Sequence, residues 1–172
     1  QIGTPESDQA RAVATDNLGN VFVTGYTQGN LVENAYSGKD DMFLVKYNSS
    51  GNKLWTRQLG SSDEDDGNGL ATDALGNVYV TGETQGGLDG NTINGSQNVF
   101  LIKYDTNGNK QWTRQFGTSL SHFARGVATN SEGNIFVSGP NIFLVKYDWN
   151  GNQEWIKEHG SPNNQGTSIM GI

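Results

Sequence analysis

The chain has 172 residues, no cysteine, a formal net charge of −7 and 24 glycines, and only 33% of its residues are apolar. A chain without cysteine forms neither disulfides nor thiolate metal sites, and a surface with this excess of carboxylates repels polyanions, so nucleic acid is not an expected partner. No apolar run approaches the roughly 20 residues that span a bilayer, so membrane insertion is not expected either.

Short runs rich in Val, Phe, Tyr, Thr and Trp predict β-strands, in three sets of four. The predicted strands are 12–16, 21–27, 42–47 and 53–59, then 70–73, 78–84, 99–104 and 110–116, then 127–130, 135–139, 142–147 and 153–159. The three sets are copies of one unit, because Trp55 and Trp112 are 57 residues apart. Trp155 follows after only 43, so 14 residues are missing from the third copy, and residues 138–142 are predicted to form a tight hairpin there.

Six turns of one type separate the predicted strands. Each begins with Asp or Asn and ends with Gly-Asn; they are residues 16–20, 48–52, 73–77, 105–109, 130–134 and 148–152. An Asp or Asn side chain at the start of a turn accepts hydrogen bonds from backbone N–H groups further on, and Gly adopts the positive φ that closes a hairpin. The turns therefore predict antiparallel sheets.

The fold class follows from the strands between these turns. In 21–23 and 43–45 both faces are apolar, so both faces of the sheet must be covered. Sheets stacked face to face satisfy this requirement, which predicts an all-β chain of three four-stranded antiparallel β-propeller blades.

Repeat boundaries follow from the same comparison. Residues 1–8 are interpreted as the end of a preceding repeat, 9–66 as repeat 1, 67–123 as repeat 2, 124–160 as the shortened repeat 3, and 161–172 as the start of a further repeat. Three blades are fewer than the four to eight of closed propellers. We therefore expect an incomplete ring that is completed by further repeats of the same chain or by other copies of it.

Three segments resemble the bacterial SBBP-type β-propeller repeat: Gly-Asn-Val-Tyr-Val-Thr-Gly at 76–82, Phe-Leu-Ile-Lys-Tyr-Asp at 100–105, and Gly-Asn-Lys-Gln-Trp-Thr-Arg-Gln-Phe-Gly at 108–117. The resemblance implies large, often secreted or surface-attached bacterial proteins with tandem repeats and no common enzyme activity. The third copy departs from the pattern by losing its middle loop. A weaker similarity to quinoprotein propellers, through Asp105, Gly108 and Trp112, supports the fold and not a cofactor.

Residues present in every copy are interpreted as parts of the blade. Tryptophans 55, 112 and 155 are expected to pack between blades, with stacking on carbohydrate as the alternative. Lysines 46, 103 and 146 are expected to form ion pairs or to extend along apolar surface, with a ring around a channel as the alternative. His122 and His159, the two histidines, are interpreted as packing residues rather than metal ligands.

The residues left over after this subtraction supply the candidate sites. Asp63, Asp65 and Asp66 are a weak candidate for calcium, and a solvated acidic loop is the favoured alternative. The Gly- and Asn-rich loops 28–39 and 85–96 are candidates for docking a ligand, since such loops gather on one face of a propeller. The candidate binding residues are Asn30, Glu33, Asn34, Tyr36, Asp89, Asn91 and Asn94.

No Gly-x-Ser-x-Gly, His-Glu-x-x-His or phosphate-loop motif occurs, so neither an enzyme nor a cofactor is expected. The leading hypothesis is a non-catalytic structural or adhesive module of a bacterial surface or secreted protein that associates with itself or forms part of a longer array. One alternative is a module that binds a glycan or protein ligand through the two loops. The other is a quinoprotein-like enzyme, which lacks support from any convergent set of polar residues.

Overall fold

A computed structural model describes residues 2–33, 35–117, 123–140 and 143–158. Within them the strands are β1 Asp8–Thr15, β2 Val21–Thr27, β3 Asp41–Tyr47, β4 Lys53–Leu59, β5 Asp65–Thr72, β6 Val78–Thr84, β7 Asn98–Tyr104, β8 Lys110–Phe116, β9 Gly126–Thr129, β10 Ile135–Gly139, β11 Phe143–Tyr147 and β12 Gln153–Glu158. A single turn of 3-10 helix, Leu88–Gly90, lies between β6 and β7. None of the described residues form a helix long and apolar enough to cross a membrane.

The strands form three separate antiparallel sheets in chain order, β1–β4, β5–β8 and β9–β12, which are called blades 1, 2 and 3. The predicted all-β fold of four-stranded blades is confirmed. β1 and β5 begin four or five residues earlier than predicted, at Asp8 and Asp65, because each continues through a β-bulge that breaks the apolar alternation. The hairpin predicted at 138–142 includes residues 141 and 142, which lie outside the described residues, as do His122 and His159; β10 and β11 pair from Gly139 and Phe143.

The six turns form as predicted. In the first, Leu18 N–H and Asn20 N–H both donate to Asp16 Oδ1 at 2.9 Å, and Asn20 Nδ2 donates to Oδ2. In the last, the hydrogen bonds from the Asn152 side chain and backbone lower the pKa of Asp148. The Gly at the fourth position has positive φ in every one, from 76° to 83°. Each turn is thus held by contacts within five residues.

Consecutive blades stack face to face. One face of blade 1, with Phe22, Met42 and Leu44, packs against the opposite face of blade 2, with Val78, Val80, Phe100 and Ile102. The same arrangement joins Tyr79, Val99 and Leu101 of blade 2 to Ile135, Val137 and Val145 of blade 3. The first strands β1, β5 and β9 lie side by side, since Thr72 Oγ1 donates to Thr15 O and Thr129 Oγ1 donates to Thr72 O, each at 2.8 Å. They form the inner edge of the stack.

Candidate functional site: the joint between blades

The joint between two blades is made by the third and fourth strands of one blade and the turn between those strands in the next. Between blades 1 and 2, Lys46 Nζ donates to Thr106 O at 3.0 Å. Arg57 Nε donates to Gly108 O at 2.6 Å, and its Nη2 donates to Asn107 O at 3.0 Å. The carbonyl oxygens of three successive residues of the turn, 106 to 108, therefore accept hydrogen bonds from positively charged side chains of the preceding blade.

The joint between blades 2 and 3 repeats these contacts. Lys103 Nζ donates to Trp149 O at 3.1 Å, Arg114 Nε donates to Gly151 O at 2.6 Å, and Arg114 Nη2 donates to Asn150 O at 3.0 Å. Lys46 and Lys103 are both buried. The expected ion pairs are present for Lys46, 4.0 Å from Asp16, and for Lys146, 2.6 Å from Glu154. Lys46 and Lys103 also donate to the backbone of the next blade instead of lining a channel. The two arginines were not singled out from the sequence, although their 57-residue spacing is the signal that marks them.

Tryptophan and glycine complete each joint. A Cβ atom on Gly108 would lie 3.0 Å from the ring of Trp55, and one on Gly151 would lie 3.0 Å from the ring of Trp112. The guanidinium of Arg57 lies over the indole ring of Trp55, 5.1 Å from the ring centroid. The interpretation of these tryptophans as packing residues between blades agrees with this geometry. Gly is required at the turn both by its positive φ and by this close approach.

A second group of charged side chains lies between blades 1 and 2, at the first strands β1 and β5 and the neighbouring β6. Asp66 of β5 and Glu83 of β6 are register partners, and Arg11 of β1 places Nη1 3.1 Å from Asp66 Oδ2 and 3.9 Å from Glu83 Oε1. Burial, a hydrogen bond with Asp66 and the charge of Asp66 raise the pKa of Glu83 to about 7. Burial also raises the pKa of Asp66, and the charges of Asp40 and Glu64 add to that increase.

The three calcium candidates make separate contacts. Asp63 pairs with Lys39 at 3.2 Å, Asp65 accepts a hydrogen bond from Ser61 Oγ at 2.8 Å, and Asp66 pairs with Arg11. Asp65 and Asp66 are adjacent in β5, so their side chains point to opposite faces of the sheet. In the part of the chain that the structure describes, no group of three or more Asp, Glu or His side chains is placed to hold a metal ion.

The first candidate loop folds onto its own blade. Tyr36 N–H donates to Asn30 Oδ1 at 2.9 Å, and Tyr36 O–H donates to Lys39 O at 2.6 Å. From β4, Gln58 accepts a hydrogen bond from Leu31 N–H at 2.9 Å and donates to Gly29 O at 2.9 Å. Glu33 is exposed, and Asn34 lies outside the described residues.

The second loop is anchored in the same way by Gln115, which accepts from Leu88 N–H at 3.1 Å and donates to Gly86 O at 3.0 Å. Asp89 accepts hydrogen bonds from Lys110 and Thr113 of β8. Two asparagines bind backbone carbonyls: Asn91 Nδ2 donates to Leu88 O, and Asn94 Nδ2 donates to Gly117 O. Most of the candidate binding residues in the two loops therefore form hydrogen bonds within their own blade. Ligand binding by these residues stays a prediction.

A family model described as the SBBP β-propeller repeat matches residues 1–31, 54–89 and 111–139, more than half of the chain. The chain therefore belongs to this β-propeller repeat family. The second match runs from β4 through β5 and β6, and the third from β8 through β9 and β10. The matched unit thus extends across each joint from one blade into the next.

Two curated proteins are similar over part of the chain. Regulatory protein FlaEY of Caulobacter vibrioides is 35% identical over 56% of this chain and 11% of its own length. Uncharacterized WD repeat-containing protein L264 of Acanthamoeba polyphaga mimivirus is 27% identical over 58% of this chain and 9% of its own length. The matched part of this chain thus spans about a tenth of the length of these relatives.

Among solved structures, that of a protein of unknown function from Bacteroides caccae superposes with a TM-score of 0.53 at 16% identity. The superposition covers 87% of this chain and 46% of that protein. At this level of identity the likeness concerns the fold alone.

Proposed function

We propose that the chain is a non-catalytic structural module of a bacterial surface or secreted protein, and that it acts by packing blade on blade, within a longer array or with other copies of itself. The observation that carries this proposal is the joint. Lys and Arg side chains at the repeat spacing donate hydrogen bonds to the next blade: Lys46 and Arg57 in blade 1, and Lys103 and Arg114 in blade 2.

Further support comes from two identical segments. Phe-Leu-Val-Lys-Tyr occurs in β3 as residues 43–47 and in β11 as residues 143–147. Leu44 is fully buried by blade 2, whereas Leu144, on the corresponding face of blade 3, is 38% exposed. An apolar side chain at the centre of a blade face is stabilised when a neighbouring blade removes it from water. The exposed face of blade 3 therefore supports docking of a further blade.

The first blade supports the same proposal from the other side. Val13 of β1 is 67% exposed, but its counterpart Leu70 in β5 packs into the core between blades 1 and 2. Val21 and Val23 are half-buried, while the corresponding residues of blade 2, Val78 and Val80, are fully buried. The blade 1 surface that corresponds to a joint is thus incompletely covered.

Sedimentation equilibrium or light scattering tests the proposal. We expect an average mass above the 18.6 kDa of one chain that rises with concentration. Leu144→Lys places a charge on the open face of blade 3 and is expected to reduce association. Leu75→Lys, on an exposed turn, is the matched control and is expected to leave it unchanged. A monodisperse monomer at high concentration, with both variants indistinguishable from the parent chain, would contradict the proposal.

The surface or secreted location is supported by the repeat family rather than by any contact in the structure. It is tested in the source cells with antibodies against the chain. Labelling of intact cells, or recovery of the protein from the medium, is expected. Labelling confined to lysed cells would contradict this part of the proposal without touching the blade contacts.

A further inference from the structure

We infer that the partner of blade 3 is blade 1 of a second copy of this chain, docked head to tail, with Trp155 and Lys157 closing over the turn 48–52. The inference rests on the proposed function and names the partner of the same surface. It predicts a heterologous contact, in which two different surfaces of the chain meet.

Blade 1 presents the acceptor half of a joint, the turn whose carbonyl oxygens accept the hydrogen bonds, and no described residue occupies it. In the two formed joints, the carbonyls of residues 106–108 and 149–151 receive hydrogen bonds from the preceding blade. The counterparts on blade 1 are Ser49, Ser50 and Gly51, which are exposed. Among the described residues, none donates to these three carbonyls, and a Cβ atom on Gly51 would meet nothing within 4 Å. The space that Trp55 and Trp112 fill at Gly108 and Gly151 is therefore free at Gly51.

On blade 3, the side chains of the donor half reach no turn of a following blade among the residues that the structure describes. Trp155 stands at the position of Trp55 and packs against Phe136 as Trp55 packs against Phe22, with ring centroids 6.3 and 6.0 Å apart. Unlike Trp55, it has no turn glycine of a following blade against its ring among the described residues. Lys146 Nζ pairs with Glu154 of its own blade at 2.6 Å instead of reaching a turn of the next blade. Lys157 takes the position of Arg57 and Arg114 and is exposed.

The two open halves are complementary in chemistry. The acceptor half offers backbone carbonyls beside a glycine with φ of 78°, and the donor half offers an indole, an ammonium and an exposed leucine. The formed joints bring the same groups together twice within the chain, so a third joint needs no contact of a new kind. Lys157 supplies one ammonium where arginine supplies a fork of donors, so the joint between copies is weaker than the two internal joints.

Two variants break opposite halves of the expected joint. Gly51→Ala places a methyl group where Trp155 of the second copy must lie. Lys157→Glu turns a carboxylate toward carbonyl oxygens. Gly19→Ala is the matched control for the first variant: Gly19 has nearly the same positive φ, 76°, but a Cβ atom there makes an ordinary 3.4 Å contact with Ser49. Each variant is first checked by circular dichroism for an unchanged β-sheet spectrum.

Association is then measured by sedimentation equilibrium. Gly51→Ala and Lys157→Glu are each expected to weaken self-association at least tenfold, while Gly19→Ala associates like the parent chain. An equimolar mixture of the first two variants is expected to form a one-to-one dimer, because the intact blade 3 of Gly51→Ala meets the intact blade 1 of Lys157→Glu. Lys157→Arg is expected to tighten association about tenfold, since a guanidinium reaches two carbonyls.

The outcomes separate this inference from the proposed function. If the parent chain associates but the mixture gives no dimer, or if both variants associate normally, blades dock in another way and only the head-to-tail joint is overturned. If the parent chain does not associate at any concentration tested, the proposed function falls with it. Loss of association in Gly19→Ala as well would mean that a strained turn, and not the joint, controls assembly, and it too overturns the inference.

Discussion

Replacing Arg57 by alanine tests whether the repeated arginine holds the blades together. The guanidinium makes two hydrogen bonds to the turn of blade 2, of 2.6 and 3.0 Å, and stacks on Trp55. A hydrogen bond from a charged donor contributes about 1.5–3 kcal/mol. Since the Asn107 acceptor is exposed to water, which replaces part of what is lost, we expect the free energy of unfolding to fall by about 2–4 kcal/mol.

Urea unfolding followed by tryptophan fluorescence measures this loss. With a slope of about 1–3 kcal/mol per molar urea, the midpoint should fall by roughly 1–2 M. Arg57→Lys is expected to fall between the parent chain and Arg57→Ala, because an ammonium makes one of the two contacts. Lys53→Ala, at an exposed site of the same strand, should change stability by less than about 0.5 kcal/mol. Equal midpoints for Arg57→Ala and Lys53→Ala would refute the reasoning.

Two further predictions concern residues between blades 1 and 2, the half-buried Glu83 and the buried Leu88. The pKa of Glu83 is raised to about 7 from an ordinary 4.5, so the folded chain binds a proton that the unfolded chain has released and stability falls as pH rises through this window. Glu83→Gln should therefore stabilise the chain by about 1–3 kcal/mol at pH 8 and much less at pH 4.5, as measured by urea unfolding; an equal effect at both pH values would contradict the assignment. Leu88, only 1% exposed, packs in the core between blades 1 and 2 although it lies in a loop. Leu88→Ala should cost about 2–4 kcal/mol in the same assay, whereas Leu75→Ala, at a site 80% exposed, should cost almost nothing; similar losses would refute the burial.

Strands and turns were predictable because they depend on neighbouring residues. Each turn is closed by an Asp or Asn side chain that accepts hydrogen bonds from N–H groups two and four residues on, so five residues are enough to specify it. The bounds of β2, β4, β6 and β8 agree with the predicted ranges. The start of β5 was missed because Asp65 and Asp66 lack an apolar pattern and belong to a strand through pairing with β6.

The joint was only half predictable. The 57-residue period marks Arg57 and Arg114 as parts of the repeat, but nothing near Arg57 in sequence indicates that its partner is Gly108, 51 residues later. The group of Arg11, Asp66 and Glu83 is of the same kind, since three strands of two blades bring it together. Such contacts depend on how one sheet is placed on the next.

The segment Phe-Leu-Val-Lys-Tyr separates the two contributions most clearly. In both of its occurrences it forms a third strand, as its run of Phe, Leu, Val and Tyr predicts from local preference alone. Yet Lys46 is buried and donates to a carbonyl of blade 2, whereas Lys146 pairs with Glu154 of its own blade. The segment and its strand are the same, so local sequence determines the strand. The partner of its lysine depends on the blade that packs beside it and on the adjacent strand, where Glu154 stands at the position of Leu54.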